Sequence, residues 1–133
     1  MSVSIFVVDD EPDVADLFRQ RFRREMREGK YVLHFALSAA EALEKLQGEI
    51  EPHLIVMLSD INMPGMDGLT LLQEIKKLRP DLPVMMVTAY DDAERRQKAK
   101  AYGAIDFVTK PVDFDFLKAQ LSQLPATQAS SLR

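Results

Sequence analysis

Short apolar runs alternate with longer amphipathic stretches from one end of this 133-residue chain to the other, and that alternation restricts its fold more than any other feature. The runs VSIFVV (Val3 to Val8), YVLHFAL (Tyr31 to Leu37), HLIVML (His53 to Leu58), PVMMV (Pro83 to Val87) and AIDFV (Ala104 to Val108) have the length and composition of strands. Four are apolar nearly throughout, as parallel strands covered on both faces are; YVLHFAL is more mixed and suits an edge. The stretches between them carry apolar residues at helical spacing: Val14, Leu17, Phe18, Phe22 and Met26, then Ala39 to Leu46, then Leu69, Leu72, Ile75 and Leu78, then Ala93 to Tyr102, then Phe114 to Leu124. Pro12 fits a first helical turn, Ser38 an N-cap, and Pro80 and Pro125 follow helix ends. Five strands and five helices joined by right-handed crossovers predict an open three-layer α/β sandwich over residues 1–124. The remaining PATQASSLR, residues 125–133, is small, polar and Pro-initiated, and reads as a disordered tail or the start of a linker.

Composition removes several function classes. At 47% hydrophobic residues the chain buries a core without staples, and having no cysteine it has neither a disulfide framework nor a thiolate nucleophile. Two histidines, His34 and His53, are too few for most zinc sites. The balance of 17 basic and 21 acidic residues, net −4, argues against direct nucleic-acid binding by this domain. The basic stretch RQRFRREMR, Arg19 to Arg27, is better explained as an amphipathic helix with a basic solvent face. No apolar run approaches the roughly 20 residues that span a bilayer, and MSVSIFVVDD lacks the features of a signal peptide. A cytoplasmic protein with no membrane association is expected.

In an open α/β sheet the ligand site forms beyond the carboxyl ends of the strands. Strand one ends in Asp9, Asp10 and Glu11, strand three in Asp60, strand four in Thr88, and strand five in Thr109, Lys110 and Pro111, whereas strand two brings nothing charged. Singly, each has a plainer reading. Acids before Pro12 suit a helix N-terminus, Thr88 is a β-former, Lys110 is a solvated lysine, and MPGMDG is a turn. Together they pose an electrostatic problem, because carboxylates about 4 Å apart repel by roughly 4 kcal/mol per pair at an effective dielectric near 20. Either one carboxyl is protonated, or Lys110 neutralises part of the charge, or a divalent cation binds. Oxygen-only ligands with open positions favour Mg²⁺. A phosphoryl group would satisfy the metal, the Thr88 hydroxyl and the Lys110 ammonium together, and Asp60, standing alone, is the expected acceptor. Pro64, Gly65 and Gly68 shape the turn that keeps bulky atoms clear of Asp60.

At these residues the sequence resembles the receiver domain of two-component response regulators, over nearly its whole length. VVDDEP matches the acidic pair, DINMPGMDG the phosphorylation loop, VTAY the switch threonine, and YGAIDFVTKP the lysine with its proline. The resemblance implies a flavodoxin-like sheet in the order 2-1-3-4-5, an order that general treatments of the fold illustrate with a receiver protein. It also implies Asp60 as phosphoacceptor, Asp10 as a direct Mg²⁺ ligand, Asp9 acting largely through water, and the carbonyl of Asn62 as a further ligand. Thr88 and Lys110 would contact the phosphoryl oxygens, Phe107 would be the switch aromatic, and the Lys110–Pro111 bond is commonly cis in the family. Asn62 and Tyr90 fall where relatives tune dephosphorylation. One departure stands out. Family members place the acceptor about six residues after a Pro-Asp pair, whereas here LIVMLS separates Pro52-His53 from Asp60, two residues more. Those two preserve strand parity, or form a bulge, or lengthen the preceding loop.

The implied partners are a histidine kinase or histidine phosphotransfer protein, and an output domain or partner protein reached through the surface of the Ala93–Tyr102 helix, strand five and the Phe114–Leu124 helix. A homodimer is also compatible. Among rival readings, haloacid-dehalogenase-like phosphatases need a second aspartate where this chain has Asn62 and carry their acidic pair last. An FMN carrier needs a Ser/Thr/Gly-rich loop after strand one. A receiver that has lost phosphorylation would not keep all of Asp9, Asp10, Asp60, Thr88 and Lys110. The expected protein is thus a signalling module, catalysing only its own phosphorylation and dephosphorylation.

Overall fold

Apolar residues on both faces of VSIFVV and VMMVT bury these segments almost completely, with Ser4 alone less than buried, so they occupy the middle of a sheet. The computed structural model describes residues 3–48, 54–63, 67–88 and 92–123. In chain order these form β1 (Val3–Val8), α1 (Pro12–Arg21), α2 (Arg23–Arg27), β2 (Tyr31–Ala36), α3 (Ala39–Gly48), β3 (Leu54–Asp60), α4 (Gly68–Leu78), β4 (Val84–Thr88), α5 (Ala93–Ala101), β5 (Asp106–Thr109) and α6 (Phe114–Ser122). All strand pairs are parallel and the order is β2-β1-β3-β4-β5. The mixed sequence of β2 places it at an edge, where only Tyr31 and Ala36 are fully buried.

Alternation along the strands divides the core in two. Ile5, Val7, Val56, Leu58, Met85, Val87 and Val108 face Phe18 of α1 and Phe114, Leu117 and Leu121 of α6. Phe6, Val8, Met57, Val84 and Met86 face Ala39, Ala42 and Leu46 of α3, Leu71, Leu72 and Ile75 of α4, and Ala99 of α5. Local chemistry sets the helix starts. Pro12 stands in the first turn of α1, and the Asp67 and Asp113 carboxylates accept from Thr70 N (2.9 Å) and Phe116 N (3.1 Å) at the heads of α4 and α6. Ser38 Oγ accepts from Glu41 N at 3.1 Å, and the Glu41 carboxylate reaches back to Leu37 N.

Several boundaries differ from the sequence expectation by one or two residues, and three differences have a clear local cause or consequence. The single helix implied by Val14 to Met26 is divided at Phe22 (φ −103°, ψ 12°), although Phe22 N still donates to Phe18 O and Met26 N to Phe22 O, both at 2.9 Å. Strand five starts at Asp106 rather than Ala104, because Ala104 N bonds to Ala99 O and closes the end of α5 instead of joining the sheet. β3 runs on to Asp60, pairing with Val87 of β4. Between Leu54, opposite Ser4, and Val56, opposite Ile5, one β3 residue has no partner in β1. That irregularity is of the bulge type, one of the forms expected for the extension before Asp60; residues 49–53 lie outside the described residues. The 125–133 tail also lies outside the described residues.

Candidate functional site

Backbone pairing carries the strand ends past the regular sheet. Asp9 N donates to Ala36 O (3.1 Å), Ile61 N to Val87 O (3.0 Å) and Lys110 N to Thr88 O (2.9 Å), so the candidate residues at these positions leave strands whose direction is fixed. Asp9, Asp10 and Asp60 each present a carboxylate oxygen, and these oxygens lie within 4.8 Å of one another. Asp9 and Asp60 are buried, and Asp10 is the most exposed of the three.

The two buried carboxylates are held in the same way. One oxygen of each accepts from the backbone N–H two residues on: Glu11 N to Asp9 Oδ1 at 3.0 Å, Asn62 N to Asp60 Oδ1 at 3.1 Å. The other oxygen of each faces Lys110, whose Nζ lies 3.0 Å from Asp60 Oδ2 and 3.8 Å from Asp9 Oδ2. Burial raises the Asp9 pKa above its ordinary value; the Glu11 N–H opposes this, and the negative charge of Asp60 adds to it. For Lys110, burial works to lower the pKa, but the hydrogen bond and charge of Asp60, with Asp9, outweigh it and leave it raised. Three carboxyl groups here face one ammonium. Oxygen donors alone line this cluster, which suits a hard divalent cation rather than a thiophilic metal.

Gly68 explains why the chain turns so sharply after Asp60. A Cβ there would stand 2.2 Å from the Asp60 carbonyl oxygen and 2.7 Å from Ile61 Cα, and Gly68 N donates to Ile61 O at 2.8 Å. The head of α4 thus rests directly on the backbone that carries Asp60. Pro64 and Gly65, expected to shape the same turn, lie outside the described residues, as does Tyr90.

Thr88 is buried at the end of β4, opposite Thr109 of β5, and Phe107 is half-buried against the α3–α5 face of the core. The Lys110–Pro111 peptide bond is cis. All sequence-selected residues within the described part therefore gather at one end of the sheet, Asn62 among them through its backbone. Sequence reasoning missed Arg96 of α5, which donates through Nη2 to Thr109 Oγ1 at 2.9 Å, with its guanidinium carbon 5.8 Å from the Phe107 ring centroid. No sequence signal separates it from its neighbour Arg95, which instead pairs with Asp92.

Beside the acids a cavity of about 260 Å³ opens between α1 and the segment joining β5 to α6, bordered by Asp9, Val14, Leu17, Lys110, Val112 and Phe114.

Comparison with known proteins matches this arrangement to a single family. A family model described as the response regulator receiver domain matches residues 5–122. The transcriptional regulatory protein ZraR of Escherichia coli is 34% identical over 122 residues, which is 92% of this chain and 26% of that protein. The DNA-binding transcriptional regulator NtrC of Escherichia coli is 38% identical over 111 residues, covering 84% of this chain and 22% of that protein. The chain thus spans about a quarter of the length of these relatives. Among solved structures, the receiver domain of NtrX from Brucella abortus superimposes with a TM-score of 0.78 at 33% identity, covering 93% of this chain and 98% of that one. The sheet order, the strand-end acids and these matches together establish that the chain belongs to the response regulator receiver domain family of two-component signal transduction.

Proposed function

We propose that Asp60 accepts a phosphoryl group from a histidine kinase or histidine phosphotransfer protein, and that this switches the α5–β5–α6 surface. The supporting observation is the convergence of Asp9, Asp10, Asp60 and Lys110 from three strand ends into one cluster of opposed charges. Asp60 is the acceptor because its carboxylate is buried, anchored by Asn62 N and directly neutralised by Lys110. In the transfer an Asp60 oxygen attacks phosphorus in line, the phosphorus–nitrogen bond of the donor breaks, and the departing imidazole keeps that electron pair and takes up a proton from water.

Mg²⁺ fits the oxygen donors of Asp9, Asp10 and Asp60, with the Asn62 carbonyl as a further ligand, and the chemistry it supplies is neutralisation of carboxylate and phosphoryl charge. Lys110 then exchanges its bond to Asp60 for one to a phosphoryl oxygen, and the Thr88 hydroxyl donates to another. Movement of Thr88 makes room for Phe107. The donor protein covers the cavity between α1 and the β5–α6 connection, whose exposed Leu17 (39%) adjoins Lys110 and Asp9. Residues 1–124 act as the receiver unit, with 125–133 a disordered tail or the start of a linker; the receiver acts on an output domain or partner protein. Among the described residues no helix is long and apolar enough to cross a membrane, in keeping with a cytoplasmic place of action.

The test is labelling by acetyl phosphate in the presence of Mg²⁺, followed by intact mass. One phosphoryl increment on the wild type and none on Asp60→Asn is expected; undiminished labelling of the variant would remove Asp60 from the role.

A further inference from the structure

Phe107 is gripped from both sides of β5. From α5, Arg96 lies over its ring and donates to the hydroxyl of Thr109, two residues along the same strand face. From α6, Gln120 Nε2 donates to Phe107 O at 3.2 Å and to Asp106 Oδ2 at 3.0 Å. Both gripping side chains are incompletely satisfied: Arg96 Nε and Gln120 Oε1 are buried without hydrogen-bond partners. Buried polar atoms are nearly always paired, so two orphans flanking one strand mark an arrangement that is held but not saturated. Thr109 also occupies a sensitive place in the chain. It lies opposite Thr88 in the β4–β5 register and immediately precedes Lys110, whose ammonium touches Asp60.

We propose that Arg96 is a positioning residue of the phosphoryl site, holding the end of β5 and the Phe107 ring in the arrangement seen here through Thr109. Phosphorylation releases that grip. This inference rests on Asp60 being the phosphoacceptor. When Thr88 and Lys110 turn toward a phosphoryl group, the strand end between them shifts, the Arg96–Thr109 bond lengthens, and the ring loses the cation that covers it. Arg96 therefore opposes switching in the unphosphorylated protein, and removing it favours the switched state.

The experiment uses the full chain with fluorophenylalanine incorporated, the Phe107 signal assigned through Phe107→Leu, and spectra taken before and after acetyl phosphate with Mg²⁺. In Arg96→Ala the unphosphorylated Phe107 signal is expected to move toward the phosphorylated wild-type position, and Asp60 labelling to be faster by about fivefold or more, the lower end of ordinary allosteric coupling. Thr109→Val, which keeps the side-chain shape and removes the acceptor, is expected to do the same, with no further effect in the double variant. Arg96→Lys can still donate to Thr109 but cannot lie flat on the ring, so it falls between. Coincident Phe107 signals in wild type, Arg96→Ala and Thr109→Val, alongside normal Asp60 labelling, would overturn the proposal. Failure of the wild type to label would instead remove the functional reading beneath it. The unphosphorylated spectra would then still decide whether Arg96 holds Phe107.

Discussion

The two faces of the sheet are packed with different materials. Under α1, α2 and α6 the core is locked by aromatic rings: Phe18 meets Phe114 edge-on at 5.0 Å and stacks on Phe22 at 5.9 Å, while Phe22 meets Tyr31 at 5.7 Å. Under α3, α4 and α5 it is built largely from aliphatic side chains and the methionines Met57, Met63 and Met86, with Phe6 the one fully buried ring among the described residues. Rings hold fixed mutual geometry, whereas methionine adapts to its surroundings. Asp60 and Lys110 leave the sheet in phase with the aromatic face, and Thr88, Thr109 and Phe107 in phase with the aliphatic one. The charged cluster is thus anchored on the rigid side, and the residues proposed to move lie on the compliant side.

The largest expected effect breaks the rigid side. Phe22→Ala, at a residue with no exposed surface and three ring partners, should lower stability by about 3–5 kcal/mol, read from the urea midpoint. Next comes a contact with backbone on the compliant side, at Gly68. Gly68→Ala sets a Cβ against Asp60 and Ile61 backbone and should cost about 1–3 kcal/mol while displacing the Asp60 amide resonance. By contrast Met86→Leu, equally buried but on the compliant face, should cost less than about 1.5 kcal/mol. A loss as large as that of Phe22→Ala would contradict the difference between the faces.

The smallest effect sharpens the comparison at the rim of the aromatic face. There Lys118 of α6 reaches Glu25 of α2 at 2.9 Å and Arg21 O at 2.8 Å. Burial works to raise the Glu25 pKa, but the hydrogen bond and charge of Lys118 prevail and bring it below the ordinary 4.5. A lowered carboxylate pKa stabilises the fold above pH 4.5 and ceases to do so as pH falls through the folded value. Glu25→Gln should therefore cost about 1 kcal/mol or less near neutrality, and the gap from wild type should close below pH 4.5 in urea melts taken across that range.

Strand ends were legible because continuous apolar runs stop abruptly at charged residues, which fixes where chemistry can stand even between Asp60 and Lys110, fifty residues apart. Features that leave no mark on hydrophobic periodicity were not legible. The break at Phe22 keeps the i to i−4 bonds, so the apolar spacing passes through it unchanged. The irregularity between Leu54 and Val56 lies in a run without alternation, and such a run does not specify register. Arg96 sits in the polar segment AERRQKAKA, where which arginine meets β5 depends on how α5 is rotated against the sheet, a property of packing alone.

The most direct measurement is chemical. An acyl phosphate is reduced by borohydride, whereas a free carboxylate is not, so treating the acetyl phosphate-labelled protein and mapping its peptides locates the phosphorylated residue. Conversion to homoserine at Asp60, with Asp9 and Asp10 unchanged, is the expected result. Conversion at Asp9 or Asp10, or none at all in a protein that carries the phosphoryl increment, would contradict the account.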